Sequence, residues 1–275
     1  MRFRLLALIA ALLPALAWAD DPKFEYKDPT AEKPAPATTF KANAQLGLLW
    51  VSGNSESIGF SANALFGVKR YHNALESFVQ GAYARAGTSS LGKGGPIDTE
   101  SDAAKNWLFR LRYDRFFGER NSIFASYGMS GDTLAGYDYR VEPQVGFSRL
   151  FVKNDMTLLR GELGYDYTYE RYVPGTDPRH KDFHSARAFV GIEHKLTQFA
   201  GFLEGFELLW ALNNLEHVRI NSLSSLTATI SKHVTLKINL TVKANFDPPD
   251  RPAAIGGKYG VVDTVLEAVL GVTFL

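Results

Sequence analysis

The chain has 275 residues, with 30 Lys and Arg set against 29 Asp and Glu, and no cysteine. That balance gives no basis for capturing nucleic acid, and the lack of thiols excludes a disulfide framework and cysteine chemistry. Stability therefore has to come from a packed core or a closed sheet.

In chain order, Arg2 and Arg4 form a basic start, Leu5 to Ala17 an apolar run, and Ala17-Trp18-Ala19 a small-residue cleavage site. Residues 1–19 thus read as a secretory signal peptide. Without Arg2 and Arg4 the basic count becomes 28 against 29 acids, so the exported chain is close to neutral. Residues 20–40 carry Pro22, Pro29, Pro34 and Pro36 among lysines and acids, a composition that cannot bury a core and predicts a disordered periplasmic arm.

Beyond the signal no run of eighteen apolar residues occurs, which excludes crossing a membrane by helices. Instead 19 Phe, 12 Tyr and 24 Gly are spread over segments that alternate with a period of two. The first strand runs from Asn43 to Val51 and turns at Ser52-Gly53-Asn54-Ser55. In the second, Ile58, Phe60, Ala62, Ala64, Phe66 and Val68 face one way and Ser57, Gly59, Ser61 and Asn63 the other. A weaker strand, Leu75 to Arg85, leads to an expected Gly-rich loop from Gly87 to Ala103. After it Trp107, Phe109, Leu111, Tyr113 and Phe117 alternate with Asn106, Arg110, Arg112 and Asp114. The fifth strand is Ser122 to Gly131 and the sixth Tyr137 to Phe151. In the seventh, Met156 to Tyr172, Leu163, Tyr165, Tyr167 and Tyr169 oppose Arg160, Glu162, Asp166 and Glu170. A loop expected over Val173 to Phe183 precedes His184 to Leu196, followed by Gly201 to Leu212, Val218 to Ile230 and Val234 to Phe246. The loop Asp247 to Gly260 leads to a closing strand, Val262 to Leu275, which ends on an aromatic at the penultimate position.

Each such strand is apolar on one side and mixed on the other, as a wall between lipid and a polar interior must be. The expected fold is all-β: a single antiparallel transmembrane β-barrel of about 12 strands over residues 41–275, with short periplasmic turns and longer extracellular loops. Twelve strands lie between the eight or so whose interior side chains fill and the sixteen or so that leave an aqueous channel, so a narrow or plugged lumen follows. Tyr165, Tyr167, Tyr169 and Phe246 fall near the outer rim and Phe117, Phe147, Phe151 and Phe274 near the inner one, where aromatic girdles belong.

Three polar groupings carry possible chemistry. Gly87 to Lys93 fits the first part of a phosphate-binding loop, but Gly94 stands where Ser or Thr should hold magnesium, and Gly95-Pro96 follows in place of a helix. Asp177, His180, Asp182 and His184 cluster near the outer rim and allow an Asp/His pair or a metal site as well as a solvated loop. A lipid-facing His and Ser pair of the kind used by outer-membrane phospholipases is not met. Ser185 next to His184 points to the opposite face, and Ala186 has no hydroxyl. The charges Arg140, Glu142, Arg160, Glu162, Asp166, Arg187, Glu193 and Lys195 face inward on consecutive strands. They form either a salt-bridge network or the lining of a small polar pore.

The segment Gln45-Leu46-Gly47-Leu48-Leu49-Trp50-Val51-Ser52-Gly53-Asn54-Ser55-Glu56-Ser57 resembles the opening strand and Gly-Asn turn of the YdiY-like salt-induced outer-membrane proteins, a domain of unknown function, number 481. The resemblance implies a barrel in the outer membrane of a Gram-negative bacterium and a link to salt, and it supplies no catalytic residue. The expected function is a structural or narrow-pore role in envelope and osmotic adaptation, without enzymatic activity, cofactor or metal. The alternative is an outer-membrane hydrolase using the Asp/His loop at the extracellular rim. Expected partners are outer-membrane lipid and the outer-membrane assembly machinery, with small ions or solutes as candidates for passage and no nucleic acid.

Overall fold

Period-two alternation leaves each strand with one face for lipid and one for the interior, and the sheet satisfies every backbone group only by closing on itself. A computed structural model describes residues 38–51, 55–92, 95–133, 135–231, 234–253 and 255–273. The expected signal peptide, most of the polar arm and the terminal Phe274-Leu275 lie outside the described residues.

The strands are β1 (Thr39–Val51), β2 (Ser55–Arg70), β3 (Asn73–Gly92), β4 (Gly95–Phe117), β5 (Asn121–Asp132), β6 (Tyr137–Lys153), β7 (Thr157–Tyr172), β8 (His180–Lys195), β9 (Ala200–Ala211), β10 (Val218–Thr229), β11 (Val234–Asn245) and β12 (Val262–Thr273). They form a closed antiparallel barrel in which each strand pairs with its sequence neighbours. β1 meets β12 from Asn43↔Thr273 to Leu46↔Leu270 and shuts the cylinder. β1 starts at Thr39, two residues ahead of the expected barrel boundary, so the arm ends sooner than its composition suggested.

Two expected loops are corrected. Of the expected loop, Gly87 to Gly92 and Gly95 to Ala103 are strand, β3 and β4 continuing as one ladder to Gly92↔Gly95, and Lys93-Gly94 lie outside the described residues. β4 pairs with β5 only from Asn106 onward, so the tip of this hairpin extends past its neighbour. Its sequence looked like loop because a strand clear of lipid needs no apolar face. The same pairing removes the phosphate-loop reading, since Gly87 to Gly92 is ladder rather than cradle. The expected loop at Val173 to Phe183 is shorter, because β8 begins at His180.

The outward face is apolar. Leu163, Val190, Ile238, Phe206 and Leu240 are exposed on it, as are Trp107, Phe109, Leu111, Tyr113 and Phe117 of β4. Glu204 is an outward-facing exception on β9, between exposed Phe206 and partly buried Phe202; its carboxylate accepts hydrogen bonds from Ser222 (3.0 Å) and from Ser224 on β10. Among the described residues no helix is long and apolar enough to cross a membrane, which leaves crossing by strands untouched.

Candidate functional site

The inward positions of β4 to β10 place basic and acidic side chains opposite one another, and their burial decides what they do. Arg112 on β4 donates from Nε and Nη2 to Asp114 (both 2.9 Å) and from Nη2 and Nη1 to Glu162 on β7 (2.8 and 3.2 Å). Arg187 on β8 donates to the same Glu162 (2.9 Å) and to Glu207 on β9 (2.6 Å), while Arg160 stands 3.9 Å from Glu162. Three guanidiniums thus converge on one carboxylate, and Asn221 completes Glu207 at 2.9 Å. Two of them also lie over the inward ring of Phe124, Arg112 at 4.1 Å and Arg187 at 5.4 Å. Gly146 makes room for that ring, since a Cβ there would lie 2.7 Å from Phe124.

A second cluster lies nearer the end that carries the longer β7–β8 and β11–β12 loops. Arg219 on β10 reaches Glu142 on β6 (3.1 Å), Thr168 on β7 (2.6 Å), Asp166 (3.5 Å) and Glu170 (3.8 Å). Arg140 donates to Glu170 at 2.8 Å, and Gln144 and Thr168 donate to Asp166 at 2.7 and 2.6 Å. The contact from β10 to β6 passes over three intervening strands, so it crosses the interior instead of running along the wall. Side-chain exposure is 1% for Arg187, Glu162 and Glu207 and 0% for Asp166. Residues lining an open aqueous pore would be wetted; these are packed.

Apolar side chains fill around the ion pairs. Phe189 and Leu223, with Leu203 against them, form a layer on the short-turn side of the network, and Leu65, Phe78 and Leu108 form another on the inner faces of β2 to β4. At the long-loop end His217, just before β10, is 1% exposed and stacks on Phe183 at 3.7 Å. Burial first, then the Arg219 charge, lowers its pKa from 6.5 to about 4. The β11–β12 loop lies across this mouth. Ala253 donates its N–H to the Gly175 carbonyl, Asp247 meets Lys181 (3.8 Å) and Lys258 (3.5 Å), and the Tyr259 ring sits directly on Gly136, whose φ is +93°.

Of the eight charges expected inside, Arg140, Glu142, Arg160, Glu162, Asp166 and Arg187 are brought into these two clusters. Glu193 and Lys195 are not; they line a separate cavity at the end carrying the start of β1 and the short turns. Arg112, Asp114, Glu170, Glu207 and Arg219 join the clusters although sequence reading did not group them. Their signal was the polar parity of each strand, but the pairing depends on which strands face each other across the barrel.

Of the Asp/His grouping only Asp177 lies in the β7–β8 loop; His180, Asp182 and His184 are on β8. Asp182 and His184 stand exposed on β8, with Asp182 Oδ2 3.8 Å from His184 Nε2 and the Tyr165 hydroxyl on Nδ1. His180 stacks on Tyr169. Ser185 is 1% exposed on the opposite, inward parity. Among the described residues no three His, Cys, Asp or Glu side chains group closely enough to hold a metal.

Residues 44–274 match the model of a family described as "Protein of unknown function, DUF481". The uncharacterized protein YdiY of Escherichia coli (strain K12) is 24% identical over 234 residues, spanning 85% of this chain and 84% of the relative. Among solved structures, the NanC porin is 11% identical at a TM-score of 0.47, over 86% of this chain and 99% of its own. An anion-selective porin from Comamonas acidovorans is 10% identical at 0.35, over 86% and 97%. The outer membrane channel DcaP of Acinetobacter baumannii is 9% identical at 0.35, again over 86% and 97%. Likeness at these scores carries no function over.

Proposed function

The chain belongs to the DUF481 family of proteins of unknown function, and from its geometry we propose a structural outer-membrane barrel whose lumen is plugged by its own ion pairs. The observation that carries this is the burial of the lumen charges, with Arg187, Glu162 and Glu207 each 1% exposed. The outward apolar face and the rim aromatics support residence in the outer membrane of a Gram-negative bacterium, with the chain start and short turns in the periplasm. Export by residues 1–19, a polar arm up to the barrel, and handling by the outer-membrane assembly machinery are part of the same proposal.

A role in adaptation to salt rests on the family resemblance and has physical support. Ion pairs this deep are screened little by salt, whereas exposed pairs lose their attraction beyond a Debye length of about 3 Å at 1 M. Such a barrel keeps its internal electrostatics when external salt rises. A strain lacking the protein should grow more slowly after a sodium chloride upshift, and equal growth would remove this part of the proposal.

Liposome swelling tests the plug. Proteoliposomes holding the refolded barrel should swell in arabinose no faster than empty ones; rapid swelling would instead favour the narrow-pore reading, with small ions or solutes passing.

The rival reading, a hydrolase at the extracellular rim, draws on the 3.8 Å approach of Asp182 to His184. That pair lacks an adjacent hydroxyl nucleophile of the Ser type, because Ser185 faces the lumen. Release of fatty acid from phospholipid micelles by the wild type, abolished in His184→Asn, would revive it.

A further inference from the structure

The interior is divided along its axis. Beneath the layer of Phe189, Leu223 and Leu203 lies a cavity of about 1070 Å³, reached from the end that carries the short turns. Leu203 and Ser225 belong to its inner part, and the turns 118–120, 154–156 and 196–199 surround its opening. Its size is near the upper end for small-molecule pockets, about 300 to 1000 Å³.

Among the described residues, cations outnumber carboxylates on its wall. Lys41, Arg120, Lys153, Lys195 and Lys237 line it against three carboxylates, Glu119, Asp155 and Glu193. The five cations come from β1, the β4–β5 turn, β6, β8 and β11, so they encircle the space and do not form a single stripe. Glu119 and Asp155 sit exposed at the rim, as do Lys41, Arg120 and Lys195, where water screens them all, while Lys153, Lys237 and Glu193 are half-buried. Thr227 and Ser225 add hydroxyl groups deeper in. A cleft with low-dielectric walls and excess charge of one sign concentrates ions of the other.

We propose that this vestibule binds a small multivalent anion from the periplasm, of the di- or tricarboxylate or phosphate-bearing class, with Lys195 at the mouth and half-buried Lys237 contributing most from strands separated by β9 and β10. Its blind inner end rests on the plugged-lumen reading; the binding itself does not.

Isothermal titration of the refolded full-length barrel in detergent, with citrate, inorganic phosphate and sucrose as probes, decides it. Citrate should bind saturably, more tightly than phosphate, and about tenfold more weakly in the double variant Lys195→Gln with Lys237→Gln, as expected for losing two screened charges. Sucrose should give no heat of binding. Heat-modifiable mobility of the variant keeps a folding failure from being mistaken for lost affinity, and Arg149→Gln, on the exposed outer side of β6, serves as a charge control that should leave citrate binding unchanged. Absence of saturable citrate binding overturns the proposal, as does binding that is equal in the wild type and a folded double variant. Conductance reports separately on the plug: a barrel that conducts and also binds citrate refutes the plug and leaves the anion site standing.

Discussion

Toward the long-loop rim Arg219 contacts Glu142, Asp166 and Glu170 with all four side chains at 6% exposure or less, whereas at the other end Lys195 stands exposed around a cavity of about 1070 Å³. Both regions are rich in charge, and they differ in the kind of cation. The filled region uses arginines, whose planar fork grips two carboxylates at once, as Arg112 does with Asp114 and Glu162. The open region uses mostly lysines, compact point charges that hold water. The difference teaches that charge inside a barrel closes it or lines it according to whether each cation is geometrically matched by several buried acceptors.

The largest effect that would break this contrast is at Glu162. Glu162→Ala leaves three arginines facing one another in a dry interior, and the barrel should lose about 3 to 5 kcal/mol in urea unfolding. Lys237→Ala in the vestibule should cost about 0.5 kcal/mol or less. Equal losses would mean the two regions are alike.

Next is the wall. Leu240→Arg, on the outward face of β11, should destabilise the barrel by about 2 to 4 kcal/mol. Asn239→Arg, one residue earlier and hydrogen-bonded inward to Ser225, should cost less in the same assay, because the vestibule side offers water. Matching damage would contradict the assignment of faces.

A smaller effect sharpens the view of the closed end. Gly136→Ala puts a Cβ against the Tyr259 ring at a φ of +93°, which should cost about 1 to 3 kcal/mol. Faster proteolysis within the β11–β12 loop should accompany it; unchanged cleavage would show that the loop is not held by this contact.

The smallest effect is in the pH dependence. His217 has a folded-state pKa of about 4 against 6.5 unfolded, so the unfolded chain takes up the extra proton. Its stabilising contribution is whole above about pH 6.5 and is lost as pH falls toward about 4. Wild type should therefore lose more stability than His217→Asn over that interval, and parallel curves would show that the ring is not buried in the neutral form.

Strand number and inward parity were legible because lipid enforces alternation where strands cross it. Twelve segments could be read, and Arg140, Glu142, Arg160, Glu162, Asp166 and Arg187 could be placed inside. Where lipid does not touch the chain the signal fades, and Gly87 to Gly92 with Gly95 to Ala103, a paired hairpin, read as loop. β9 and β10 were harder still. Glu204, Ser222 and Ser224 face outward while Leu203, Leu209 and Leu223 face inward, exceptions on otherwise alternating strands that blurred the parity of Glu207 and Arg219. The Arg219–Glu142 contact joins residues 77 apart in sequence, a pairing set by barrel closure that no local pattern encodes. The vestibule was likewise invisible, since its five cations come from five separate elements.

Single-channel recording in planar bilayers addresses the central claim most directly. The plugged lumen predicts a wild-type barrel that stays silent, with Arg160→Ala less stable and either silent or conducting only after the substitution has loosened the contacts around Glu162. A wild type that conducts steadily, and whose ion preference moves toward cations in Arg160→Ala, would show that the charges line an open pore.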